Sequence, residues 1–242
     1  MRVFVTSDPH GDFTHIADFC NENNTTIADV MIILGDTGIN YYLDDRDRRN
    51  KNRLAKLPIT FFCIHGNHEE RPCVIDTYHY VKSKLVNGYI WMEPEFPNIL
   101  FAEDVNIYYI NKRPYYVLGG AYSVDKFYRV AMGYKWFATE QIPTLIEKIN
   151  GEIDGNSKQI QQLNKLENLT ILTHTCPYKY MPTEAFLSFV DQSTVDNSME
   201  ELLNKLEANI KYENWYCGHF HIEKIIDKIH FKFKGITEID HD

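Results

Sequence analysis

The sequence predicts a layered α/β protein, and three observations carry that reading. Short, continuous apolar runs at residues 30–34 and 59–64 have the length of strands buried on both faces. Helix-length segments alternate with such runs, as crossovers between parallel strands require. No apolar run approaches the roughly 18 residues of a membrane-spanning helix, so no membrane partner is expected.

Residues 2–6 read as a buried strand, and residues 13–23 as an amphipathic helix carrying Phe13, Ile16, Ala17, Phe19 and Cys20 on one face. The strand at 30–34 ends in Gly35-Asp36. Residues 44–57 are highly charged and read as a solvated surface helix, with Pro58 opening the strand at 59–64. Segments 88–91, 99–102, 107–110 and 115–118 are short, aromatic-rich and separated by turn residues, the pattern of a meander of neighbouring strands. A long irregular loop is expected at 122–137, then a helical stretch at 140–166 broken near 151–156. Residues 169–173 and 215–217 read as strands, 199–210 as a helix, and 229–234 as a half-exposed strand with alternating polarity. No repeat or linker interrupts the chain, so a single domain over residues 1–242 is expected.

The 242 residues carry 25 Lys+Arg against 34 Asp+Glu, a formal net charge of −9. With 44% hydrophobic residues the chain can bury a full core and does not read as disordered. Its acidity excludes broad binding of duplex DNA, which depends on Lys and Arg at phosphates. Phosphate chemistry stays open where metal ions supply the positive charge. The first eight residues lack the charged start and apolar stretch of a secretory leader. Five cysteines with no Cys-x-x-Cys pair do not form a disulfide framework. A cytoplasmic protein with reduced thiols is expected.

Acidic and imidazole side chains recur where these strands end. Asp8-Pro9-His10-Gly11 follows the first strand, Gly35-Asp36 the second, and Gly66-Asn67-His68-Glu69 the third. His174 ends the strand at 169–173, and Gly218-His219-Phe220-His221 the one at 215–217. Each piece alone is ordinary, since an Asp after a strand is commonly a turn or capping residue. Together they place His, Asp or Asn at five strand ends, where loops of a layered α/β protein converge. Oxygen and imidazole donors without thiolate suit Mn, Fe, Zn, Co or Ni.

In this order the blocks resemble the signature of the calcineurin-like metallophosphoesterase superfamily, D-x-H, G-D, G-N-H-[ED], H and G-H-x-H, over residues 3–221. The resemblance implies a four-layer αββα double β-sandwich, with the middle meander mainly in the second sheet. It implies two divalent metal ions, one held by Asp8, His10, Asp36 and His221, the other by Asp36, Asn67, His174 and His219. It further implies metal-activated hydroxide attacking phosphorus, with His68 beside the metals assisting the leaving group.

The second block continues Thr37-Gly38-Ile39-Asn40, so Ile39 and Asn40 stand where the serine/threonine protein phosphatases carry an Asp and an Arg. Arg71 or Arg46 is a candidate replacement for that guanidinium. Asn106-Ile107-Tyr108-Tyr109, Gly119-Gly120-Ala121-Tyr122 and His174-Thr175-Cys176-Pro177 loosely resemble the RNA lariat-debranching enzymes. The segment 119–129 also resembles uncharacterised bacterial and phage-type phosphoesterases. Within it Tyr122, Lys126, Tyr128 and Arg129 interleave aromatic rings with cations, as expected where a base stacks and a phosphate is neutralised. A phosphodiester, nucleotide or single-stranded nucleic acid is therefore the expected substrate. A phosphomonoester, including a phosphoprotein, is the alternative, and a non-catalytic metal-binding scaffold the more distant one.

Overall fold

A computed structural model describes residues 1–141, 157–186 and 192–239. The strands are β1 Val3–Thr6, β2 Val30–Ile33, β3 Thr60–Cys63, β4 His79–Ser83, β5 Gly88–Met92, β6 Ile99–Ala102 and β7 Asn106–Ile110. They continue with β8 Arg113–Leu118, β9 Thr170–Thr173, β10 Asn214–Cys217, β11 Lys224–Ile226, β12 Ile229–Phe231 and β13 Thr237–Glu238. The helices are α1 Thr14–Glu22, α2 Asp45–Ala55, α3 Lys126–Ala131, α4 Lys158–Leu163 and α5 Ser198–Asn209.

The strands form two sheets, ordered β13-β1-β2-β3-β6-β5-β4 and β11-β12-β10-β9-β8-β7. In each, four central strands run parallel: β1, β2, β3 and β6 in the first, and β12, β10, β9 and β8 in the second. The register is level, with Thr6 beside Ile33 and Ile33 beside Cys63, so the parallel strands of the first sheet finish flush.

Period-two alternation decides what each buried strand touches. Val3, Val5, Ile32 and Phe62 point into the space between the sheets, where they meet Tyr108, Tyr115, Val117 and Leu172. Phe4, Met31, Ile33 and Phe61 point outward and are covered by Phe13, Ile16 and Cys20 of the first helical segment and by Leu54 of α2. On the far side Ile171 and Trp215 are covered by Ile160, Leu163, Leu202, Leu203 and Leu206 of α4 and α5. The result is the four-layer αββα sandwich. Trp215 is fully buried, and its indole N–H donates to Thr173 Oγ1 at 2.7 Å, so the ring enters the core without an orphaned donor.

Several expectations need correction. The middle strands do not belong mainly to the second sheet: β4, β5 and β6 extend the first, and only β7 and β8 join the second. The hydrophobic pattern of a short strand says that it is covered, not by which sheet. The segment 122–137 contains a helix, α3, whose apolar side chains Phe127 and Val130 are exposed and so give no buried periodic face. The charged helix α2 is more than a solvated face. Its Lys51 is buried in an ion pair with Glu93 at 2.6 Å, and its Asp47 is buried and accepts from the Leu43 N–H at 2.7 Å. Of the helical stretch expected at 140–166, residues 158–163 form α4, and the expected break falls outside the described residues. The five cysteines are unpaired, and all but Cys73 are buried. Among the described residues no helix is long and apolar enough to cross a membrane.

Candidate metal centre

The loops after β1, β2 and β3 lie across from those after β9 and β10, and they bring Asp8, His10, Asp36, Asn67, His174, His219 and His221 together at one pole of the sandwich. Asp8, His10, Asp36, His219 and His221 all have positive φ, between 47° and 68°. That backbone region is costly for side chains other than glycine, and it turns five donors inward within a few residues of a strand end. Gly35 (φ 96°) and Gly218 complete the packing: a Cβ on Gly35 would collide with His174 Nδ1, and one on Gly218 with Ser7 and Asp8.

Two clusters result. In the first, His221 Nε2 lies 3.1 Å from His10 Nε2 and 3.4 Å from Asp8 Oδ1. In the second, Asn67 Oδ1 lies 2.8 Å from His174 Nε2 and 3.0 Å from His219 Nδ1. Asp36 Oδ2 stands between them, 3.8 Å from His10 Nε2 and 3.7 Å from His174 Nε2. Neighbouring N and O ligands on one divalent ion are separated by about 3–3.5 Å, given bonds of about 2.0–2.2 Å, so the separations within each cluster suit a shared cation. Asp36 Oδ2 lies a few tenths of an ångström beyond that range from both.

The chemistry of the donors makes the same point. The Ser7 hydroxyl and the His219 backbone N–H (3.0 Å) both serve Asp8 Oδ2, leaving the buried Asp8 Oδ1 to the imidazoles of His221 at 3.4 Å and His10 at 3.9 Å. The His68 backbone N–H occupies Asp36 Oδ1 at 2.7 Å, which leaves Oδ2 facing the clusters. His174 Nδ1 lies 2.7 Å from the Leu34 carbonyl and must donate to it, so in the neutral ring Nε2 is the nitrogen with the lone pair. Asn67 donates its amide N–H to Ser123 Oγ at 2.9 Å, so its oxygen is the atom aimed at the histidines. An acceptor nitrogen thus faces an acceptor oxygen at 2.8 Å, an arrangement that a cation relieves. Divalent ions fit these residues.

Electrostatics supports the ligand forms of Asp8, Asp36 and His219. Burial opposes the charge on Asp36, but His174, His68 and His10 with the His68 N–H hold its carboxyl below the usual range. Burial likewise opposes charge on Asp8, and the His221 hydrogen bond and His174 pull it down. Burial and the neighbouring His174 bring His219 down to about 3, so its ring is neutral. The hydrogen bond to Asp8 raises His221.

His68 stands at the rim, its ring centroid 5.7 Å from that of His10. Burial lowers its pKa, Asp36 opposes that, and Arg129 adds to it. Arg129 Nη2 is 3.4 Å from His68 Nε2, while its Nε donates to Asp125 at 2.7 Å and its Nη1 to the Tyr41 hydroxyl at 3.1 Å. His10, His68, Tyr41 and Arg129 line a cavity of about 160 Å³. A larger cavity of about 470 Å³ runs from Asp36, Asn67 and His68 past Tyr122 to Phe186, Phe220 and Glu200.

Arg71 and Lys126 line neither cavity. Arg71 pairs with Asp104 and donates Nε–H to the Thr139 carbonyl at 2.9 Å. It fastens the turn at Gly119–Gly120 to its surroundings. Lys126 lies over the Trp136 ring at 4.1 Å from the centroid. Arg46 pairs with Asp44 at 2.7 Å and stacks on Tyr42. Ile39 and Asn40 are buried, and Asn40 Oδ1 accepts from Tyr78, so the protein-phosphatase positions contribute to the core here. Of the expected substrate residues, Tyr122 and Arg129 face cavities.

Sequence reasoning missed Tyr41, Phe186, Phe220 and Glu200. Phe220 had a signal, its place inside Gly218-His219-Phe220-His221. Glu200 had none, because an acid in a first helical turn is ordinary.

The family model for calcineurin-like phosphoesterases matches residues 1–223. No curated protein sequence matches the chain. Among solved structures, TT1561 of Thermus thermophilus is 12% identical, with 90% of this chain and 81% of that one covered and a TM-score of 0.45. A phosphopantetheinyl hydrolase from Mycobacterium tuberculosis is 13% identical, with coverages of 96% and 88% and a TM-score of 0.46.

Proposed function

The chain belongs to the calcineurin-like phosphoesterase family of metal-dependent hydrolases, and from that premise we propose that it is a binuclear enzyme cleaving phosphodiesters, including those of nucleotides or single-stranded nucleic acid. The observation that carries the binuclear reading is the placement of Asp36 Oδ2 between two donor clusters, 3.8 Å from His10 and 3.7 Å from His174. Asp8, His10, Asp36 and His221 would hold one ion, and Asp36, Asn67, His174 and His219 the other. When bound, divalent ions supply Lewis-acid charge for phosphate oxygens and lower the pKa of a water.

The chain's own groups do the rest. Arg129, held by Asp125 and Tyr41, keeps one Nη for a phosphate oxygen beside His68. Burial favours the neutral form of His68, and an approaching anion favours its protonated form. Nε2 then holds a proton for the departing ester oxygen. Arg129 is the only lysine or arginine among the described residues lining the two cavities. One cation suits a singly charged diester better than a doubly charged monoester, and the large cavity gives the second ester group somewhere to lie. The five unpaired cysteines support a reducing, cytoplasmic setting.

The test is a manganese-loaded assay of bis-p-nitrophenyl phosphate and 2′,3′-cyclic nucleotides against p-nitrophenyl phosphate. Faster turnover of the diesters is expected, and hydrolysis of the monoester alone would refute the diester reading. Metal analysis of the loaded protein should find two ions per chain, and one would refute the binuclear reading.

A further inference from the structure

The larger cavity is built for more than the phosphate. We propose that it is a nucleobase pocket in which Glu200 accepts a hydrogen bond from an exocyclic amino group. This deepens the nucleotide reading above and rests on it for the ester, but not for the binding of the base.

The cavity holds about 470 Å³ in one continuous volume, from Asp36 and His68 at the candidate metal centre to Glu200 at its inner wall. That lies within the roughly 300–1,000 Å³ of small-molecule sites. Phe186 and Phe220 line it with near-parallel rings, 15° apart in plane and 6.3 Å between centroids. Such faces offer stacking surface to a flat heteroaromatic ring.

Glu200 supplies the polar contact. It is only 4% exposed, and Oε1 accepts from the Thr175 hydroxyl at 2.6 Å. Oε2 is buried and has no hydrogen-bond partner among the described residues. The first turn of α5 tolerates a carboxylate there, yet that leaves the outer oxygen unsatisfied, a state native proteins avoid. A ligand that brings an N–H satisfies it. Met181 and Ile222 line the same volume, and apolar surroundings beside a buried carboxylate sharpen discrimination between ligands with and without that donor. An alkylammonium group also carries N–H donors, but it would fill a small part of the cavity and leave the phenylalanine faces bare.

Calorimetric titration of the full-length protein with free nucleosides tests this independently of hydrolysis. Two pairs differ by one amino group: adenosine against purine riboside, and guanosine against inosine. At about pH 8.5, where Glu200 has released its proton, the amino-bearing nucleoside of at least one pair should bind at least about tenfold more tightly, one hydrogen bond to a charged acceptor. The preference should shrink in Glu200→Gln and vanish in Glu200→Met, with circular dichroism verifying that both variants fold. Equal affinities within both pairs, a preference surviving in Glu200→Met, or tighter binding of phosphocholine than of any nucleoside would overturn the proposal. Failure of the metal-loaded enzyme to cleave bis-p-nitrophenyl phosphate would instead strike the hydrolase reading and leave the titrations as they are.

Discussion

The floor of the site and its outer wall are made differently. The floor consists of donors set at the flush ends of five parallel strands, with Asp8, Asp36, Asn67 and His174 all at 2% exposure or less. Every one of those side chains is fixed by a hydrogen bond, accepted by Asp8 and Asp36 and donated by Asn67 and His174. The wall around α3 leaves Phe127, Tyr128, Val130 and Met132 more than half exposed, and Arg129 is steadied by side chains alone. Geometry needed for metal binding is thus borrowed from the rigid core, and geometry needed for substrate rests on a surface element with few buried contacts. Changes in the floor should act all or none, and changes in the wall by degrees.

The largest effect should come from Asp36→Asn, which weakens the donor shared by both clusters. Loss of bound metal by elemental analysis and a fall in kcat/KM on the order of 10³-fold or more are expected. Full metal content in that variant would break the distinction. His68→Ala should lower kcat by about 10²–10⁴-fold while metal content stays unchanged, because the backbone N–H to Asp36 remains.

Glu200 is the wall residue expected to behave like the floor. Burial pushes its carboxyl up to about 7 from an ordinary 4.5, opposed by the Thr175 hydrogen bond and His174 and reinforced by Asp196. Between those pH values the unfolded chain has released the proton that the folded chain still holds, so stability falls as pH rises through the window and levels off above it. Glu200→Gln removes this component. Urea unfolding of the metal-free protein should show the variant gaining on the wild type between about pH 4.5 and 8, by on the order of 3 kcal/mol at most. A parallel pH dependence in the two proteins would contradict the assignment.

Smaller still, Arg129→Ala should cost about 10- to 100-fold in kcat/KM through one charge-assisted contact. Lys126→Ala should cost less than about threefold, since its ammonium stacks on Trp136. A loss at Lys126 as large as that at Arg129 would mean that the wall rearranges around substrate.

What was legible in the sequence follows the same division. The residues gathered on the floor could be read, because strand ends are marked by apolar runs and donor types are marked by identity. The edge strand β4 could not, since most of its side chains are exposed or only half-covered and show no apolar run. Nor could the roles of the arginines. Arg71 and Arg129 look alike in sequence, and only folding shows that one meets Asp104 and the other His68. Glu200 needed Thr175 beside it and a cavity in front of it, neither of which leaves a local mark.

The flush parallel strands have a consequence for how the protein is made. The first cluster joins Asp8 and His10 to His221, so nearly the whole chain must leave the ribosome before that cluster can close. At about 5–20 residues per second the early donors wait on the order of tens of seconds for their partners. β13 pairs with β1 across a similar span of sequence, with Thr237 beside Val5 and Glu238 beside Phe4. A metal centre at this pole would therefore be completed only once its most distant donor, His221, has folded into place.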